Sequence, residues 1–159
     1  MELELEGVKG EESAGDDEGE DAKLLEKVSL DGHRILLCED NMINAEIAKV
    51  ILSKYGVELD RAENGEAGLN KVKDGGEGFY SAVLMDIQMP VMNGYEATRA
   101  IRGLNGEYYK KIPIIAMSAN AYEEDVKEAL DSGMNAHVAK PFEPDDLART
   151  LKKHIQSAS

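Results

Sequence analysis

The chain of 159 residues has no tryptophan, one cysteine, two phenylalanines and four prolines. Without tryptophan, ligand binding cannot be followed by tryptophan quenching. A lone cysteine cannot close an internal disulfide, which suits a reducing cytoplasm, and Cys38 sits in an apolar run where it reads as a small core residue. Basic residues are scarce, with 18 Lys and Arg against 32 Asp and Glu for a formal net charge of −14. Non-specific attraction to nucleic acid or to anionic membranes needs a basic surface, so no nucleic acid partner is expected. No apolar run approaches the ~20 residues that span a bilayer, and the N-terminus lacks the basic start and apolar core of a secretory signal. Direct membrane insertion is therefore not expected, and the localisation expected is cytoplasmic.

The acid excess is uneven. Residues 1–31 hold twelve Asp or Glu against three Lys, whereas the rest of the chain carries twenty acids and fifteen bases. Residues 7–21 combine Gly and acid with almost nothing to bury, the composition of a disordered linker. Before them Met1-Glu2-Leu3-Glu4-Leu5-Glu6 alternates apolar and charged residues with the period of an amphipathic strand. Six residues form no sheet alone, so the segment reads either as the last strand of an upstream domain or as a tail. Residues 1–31 are thus expected to be a leader, and 32–157 one domain.

From Gly32 onward short β-rich runs (34–38, 57–62, 81–85, 112–117, 136–139) alternate with helical ones (42–54, 65–74, 93–104, 121–132, 144–156), and no internal repeat is evident. The runs 34–38 and 81–85 are almost continuously apolar, as in central strands covered on both faces. In the last helical run Leu147, Leu151 and Ile155 recur every four residues, and Pro144 suits a first helical position. Five strands alternating with five helices predict an α/β fold, a doubly wound parallel sheet. Ligands of such folds bind beyond the carboxyl ends of the strands.

Four of the strand-like runs end on polar residues: Glu39-Asp40, Asp86, Ser118 and Lys140. If the strands are parallel, these groups gather at one edge. Three carboxylates close together either raise a pKa or recruit a cation. Hard oxygen ligands with no Cys or His set nearby point to Mg²⁺, which takes one or two carboxylates and keeps other positions for water or phosphate oxygens. Carboxylates, a hydroxyl and a lysine together suit a tetrahedral anion, and a carboxylate so placed can attack phosphorus.

Residues 32–157 resemble the receiver domain of two-component response regulators, most closely the receivers of hybrid sensor histidine kinases. The residues that carry the resemblance are Ile35-Leu36-Leu37-Cys38-Glu39-Asp40-Asn41, Leu84-Met85-Asp86-Ile87-Gln88-Met89-Pro90-Val91-Met92-Asn93-Gly94, Met117-Ser118-Ala119-Asn120-Ala121 and Lys140-Pro141-Phe142. All four segments occur in order and at strand ends. The resemblance implies a flavodoxin-like sheet of order 2-1-3-4-5. It implies Asp86 as phosphoacceptor, with Glu39, Asp40, Asp86 and the backbone carbonyl of Gln88 holding Mg²⁺. Ser118 would bond one phosphoryl oxygen and Lys140 pair with another, and the Lys140–Pro141 bond would be cis. The phosphoryl donor would be a histidine kinase or a histidine phosphotransfer domain, and the aspartyl phosphate would hydrolyse within the same cycle. Asn120 and Gln88 would tune its lifetime. With the leader's acidic linker and strand-like start, the expectation is a piece of a hybrid histidine kinase, tethered to a membrane sensor in the longer protein.

One position departs from the pattern. Three residues before the lysine, where receivers often carry a rotating Tyr or Phe, stands His137. It reads either as a switch whose charge couples to pH or as a partly buried histidine without that role. Two rivals remain: a metal-dependent phosphatase with Asp86 as nucleophile, and an interaction module that accepts no phosphate. A haloacid-dehalogenase-type phosphatase would want an aspartate where Gln88 stands, and the full set of site residues disfavours the second.

Overall fold

Successive side chains of a strand point to opposite faces, so a strand apolar at every position has to be covered on both sides. The computed structural model describes residues 29–119 and 123–158 and meets that demand with helices on both faces of one sheet. The leader before Ser29, including Met1–Glu6 and residues 7–21, lies outside the described residues, as does Asn120. Strands β1 (Arg34–Cys38), β2 (Glu58–Ala62), β3 (Ala82–Asp86), β4 (Ile114–Ser118) and β5 (Ala136–Ala139) pair in parallel in the order β2-β1-β3-β4-β5. The helices are α1 (Met42–Ser53), α2 (Gly65–Gly75), α3 (Gly94–Arg102), α4 (Glu107–Lys111), α5 (Glu123–Ser132) and α6 (Pro144–Ala158).

Strand alternation divides the core in two. Ile35, Leu37, Leu84, Ile115 and Met117 pack with Ala45, Ala48 and Leu52 of α1 and with Leu147, Leu151 and Ile155 of α6. Leu36, Cys38, Val83, Met85, Ile114 and Ala116 face the other way, against Val72 of α2, Ala97 and Ile101 of α3 and Ala129 of α5. Each fully buried aliphatic side chain of this kind stabilises by roughly 1.5–3 kcal/mol.

Three helices start just past strand ends, and each start is fixed by an asparagine. Asn41, Asn64 and Asn93 accept hydrogen bonds from the amides of Asn44, Ala67 and Glu96 through their side chains, and Glu96 returns a bond to Asn93 in a capping box. Gly94 lets α3 begin hard against β3. A Cβ there would lie 2.3 Å from the carbonyl oxygen of Asp86, so no other residue fits without moving the strand end.

Six helices replace the five expected among the described residues. The extra one, α4, is five residues long, too short to show a helical period. Tertiary contacts define it instead: Tyr109 is buried, and the Tyr108 hydroxyl donates to the carbonyl of Tyr80 at 2.6 Å and accepts its amide at 3.1 Å. Nearby, α3 ends at Arg102 rather than 104. The Arg102 guanidinium donates to the carbonyls of Tyr109, Ile112 and Gly133, tying three connections together. Strand β4 opens at Ile114 rather than 112, after Pro113, which has no amide to donate. No helix among the described residues is long and apolar enough to cross a membrane.

Leu36, with no exposed surface, and Ile43, 72% exposed, separate core from surface. Replacing Leu36 with Ala should lower unfolding free energy by about 2–5 kcal/mol in urea titrations, and Ile43→Ala should stay within about 0.5 kcal/mol of the parent.

Candidate functional site

Parallel pairing sends the carboxyl ends of the strands to one edge, and the register decides which residues meet there. Cys38 is opposite Met85, Asp86 opposite Met117, and Ser118 opposite Ala139. The first residues past the strands are still held by backbone bonds: Glu39 donates to Ala62 at 3.0 Å, Ile87 to Met117 at 3.1 Å and Lys140 to Ser118 at 2.9 Å. Glu39, Asp86, Ser118 and Lys140 are thereby brought together, as expected from the sequence. The Lys140–Pro141 peptide bond is cis.

Two carboxylates share one ammonium. Lys140 Nζ lies 2.6 Å from Glu39 Oε1 and 3.3 Å from Asp86 Oδ2, and both acids are buried. The other Glu39 oxygen accepts the Asn41 amide at 3.1 Å, and Asp86 Oδ1 accepts the Gln88 amide at 3.3 Å. The shorter contact decides the charge balance. Burial opposes ionisation of Glu39, but the bonds from Lys140 and Asn41 outweigh it, and its pKa falls below the ordinary carboxylate value. Asp86 is pushed up to about 6: desolvation dominates, Lys140 offsets it in part, and the charge on Glu39 adds to it.

Asp40 is exposed beside this pair, and Glu39, Asp40 and Asp86 each offer an oxygen within 4.8 Å of the others. One ammonium does not neutralise three carboxylates. The donor set is all hard oxygen and the surplus charge is negative, so the residues fit a small divalent cation such as Mg²⁺. A cleft of about 200 Å³ opens over Asp86, lined also by Gln88, Ser118 and Lys140.

Ser118 Oγ and His137 Nε2 are 2.8 Å apart, so the residue at the departing position is bonded directly to the site's hydroxyl. Arg61 on β2 went unforeseen. Its guanidinium donates from Nε to the carbonyl of Glu39 and from Nη2 to that of Asp40, each at 3.1 Å. Nothing in the linear sequence signals this contact, because it depends on how an edge strand is aligned with a loop 21 or 22 residues earlier.

Comparison with known proteins follows the same lines. The profile of the response regulator receiver domain matches residues 35–152. Histidine kinase 3 of Arabidopsis thaliana is 35% identical over 89% of this chain, and the peroxide stress-activated histidine kinase mak1 of Schizosaccharomyces pombe is 41% identical over 70% of it. The chain spans 15% of the former's length and 7% of the latter's. Among solved structures, the receiver domain of a sensor histidine kinase from Pseudomonas aeruginosa, with a magnesium ion coordinated in its active site cleft, is 36% identical with a TM-score of 0.71; the match covers 79% of this chain and 98% of that one. The receiver of the Saccharomyces cerevisiae response regulator Ssk1, crystallised with the histidine phosphotransfer protein Ypd1, is 28% identical with a TM-score of 0.68, covering 80% of this chain and 92% of that one. This chain belongs to the response regulator receiver domain family of two-component signalling.

Proposed function

We propose that Asp86 accepts a phosphoryl group from a phosphohistidine, carried by a histidine kinase or a histidine phosphotransfer domain, and that the new charge alters the surface partners read. One observation carries this. A single ammonium is divided unequally between two buried carboxylates, which leaves Asp86 the less compensated of the two and open to the cleft.

The residues divide the work as follows. A carboxylate oxygen of Asp86 attacks phosphorus, the bond from phosphorus to the donor's imidazole nitrogen breaks, and the imidazole leaves with that electron pair. Lys140 pairs with one phosphoryl oxygen, and the Ser118 hydroxyl donates to another. Glu39, Asp40, Asp86 and the backbone carbonyl of Gln88 would hold Mg²⁺, which supplies positive charge against the phosphoryl oxygens. Gln88 and Asn120 tune hydrolysis of the aspartyl phosphate, and His137 tunes it through Ser118. Residues 32–157 form the receiver and 1–31 a leader. The parent protein is a hybrid histidine kinase, and the receiver works in the cytoplasm.

The docking surface for a donor lies next to the site. Helix α1 buries Ala45, Ala48 and Leu52, while Met42, Ile43, Ile47 and Val50 on its outside are 47–72% exposed. Ile43, Ile47 and Val50 follow helical spacing, so they make an apolar stripe starting beside Asp40. Such a stripe suits an apolar helix face on the donor, and the Ypd1–Ssk1 pair is a precedent for a receiver bound to a phosphotransfer protein.

Incubation with acetyl phosphate and Mg²⁺ followed by intact-mass measurement tests the chemistry. One phosphoryl adduct should form, fail to form when EDTA replaces Mg²⁺ and be missing in Asp86→Asn; an unmodified wild type with Mg²⁺ present would sink the proposal. Turnover of many small phosphate esters would favour a phosphatase instead.

Stability should report the same carboxylate. Asp86 titrates near pH 6 when folded and at its ordinary value of 3.8 when unfolded, so between those values the folded state holds the extra proton. Raising pH through that window strips it and weakens the fold. In EDTA, Asp86→Asn should therefore be more stable than wild type by on the order of 1–3 kcal/mol near neutral pH, with the gain lost by about pH 4. Thermal melts at the two pH values measure this, and a pH-independent difference would contradict the desolvated Asp86.

A further inference from the structure

The turn from β1 to α1 carries both Glu39 and Asp40, yet it lies beyond the β1–β2 ladder. That ladder ends with Cys38 opposite Ala62 and the bond from the Glu39 amide to the Ala62 carbonyl. Among the described residues the strand pairing does not continue past this point to take up the carbonyls of Glu39 and Asp40. Arg61 takes both, with Nε on the first and Nη2 on the second at 3.1 Å. A planar guanidinium can bridge two neighbouring carbonyls in this way, whereas an ammonium presents a single point of charge. From the other side the turn is closed by Asn41, whose amide bonds Glu39 Oε2 and whose side chain caps α1.

We propose that Arg61 is a positioning residue for the cation site: its guanidinium fixes the two carbonyls of the turn and so holds the Glu39 and Asp40 carboxylates toward Asp86. The proposal rests on the Mg²⁺-dependent reading of the site and adds to it a residue on a different strand that touches neither metal nor phosphoryl group. Its sign is diagnostic. Removing a cation near three carboxylates should by charge alone tighten divalent cation binding. Losing the alignment of the carboxylates should weaken it, as loss of an outer-shell partner generally does.

The test is a Mg²⁺ titration of the full chain, followed by the NMR amide signals of Asp40 and Gln88. Arg61→Ala should bind Mg²⁺ about tenfold more weakly than wild type. Arg61→Lys keeps the charge without the fork and should lie nearer to Arg61→Ala than to wild type. Unchanged or tighter binding in Arg61→Ala overturns the proposal. A second measurement needs no variant: in the wild type the Arg61 Nε–H should exchange with water more slowly than that of the exposed Arg149, and equal exchange also overturns the proposal. Should the wild type bind no Mg²⁺, the cation reading and the role of Arg61 fall together. Should the wild type bind and Arg61→Ala bind equally well, only the role of Arg61 falls.

Discussion

Lys140 reaches Glu39 across the whole width of the site, and the rest of that edge is arranged around the contact. The two residues follow β5 and β1, and in the sheet order β3 and β4 lie between those strands. An ammonium that bridges them must pass over the ends of the intervening strands, where Asp86 and Ser118 stand. The 2.6 Å pair joins residues 101 apart in sequence and is largely out of water. Breaking one partner of a buried pair leaves an uncompensated charge, a loss of about 3–5 kcal/mol. Lys140 therefore serves the fold as well as the chemistry proposed for it.

That contact presupposes a sheet whose strands all point the same way. A parallel connection needs a crossover, and here each crossover carries a helix that covers one face. Both faces being covered, the central strands have to be apolar throughout, and polar residues are pushed to their ends. The cluster of acids, hydroxyl and lysine is a by-product of this rule before it is a site. What makes it specific is the tightness of the turns: the asparagine caps at 41 and 93 and the close approach of Gly94 to Asp86 leave little room for the strand ends to shift.

This explains which features could be read from the sequence. The central strands showed as apolar runs and their ends as the first polar residues, so Glu39, Asp86, Ser118 and Lys140 were visible together, and Pro144 and the Leu147-Leu151-Ile155 spacing marked the last helix. Helix α4 was not visible, because five residues held by Tyr108 and Tyr109 carry no period. The helix end at 102–104 was blurred because Arg102 acts through the carbonyls of other segments, and the strand edge at 112–114 because Pro113 inside an apolar run lacks the amide that pairing uses. Arg61 was invisible as a site component since its partners are carbonyls, which every residue has. Position 137 was legible as a departure, but its bond to Ser118 was not, as it joins side chains on neighbouring strands.

The bond between Ser118 and His137 also limits how a charge change can travel. A serine hydroxyl has one proton to donate. In the proposed phosphorylated state that proton goes to a phosphoryl oxygen, so the contact with His137 survives only if Nε2 carries the hydrogen and donates to Ser118. Otherwise the contact opens. Lys140 faces a parallel restriction, since an ammonium held by Glu39 at 2.6 Å has to loosen that grip to meet an added anion at Asp86. Both adjustments act on β5 or the residue directly after it. In the proposed phosphorylated state, charge gained on β3 would thus bear on β5, two strands away, through these two short contacts.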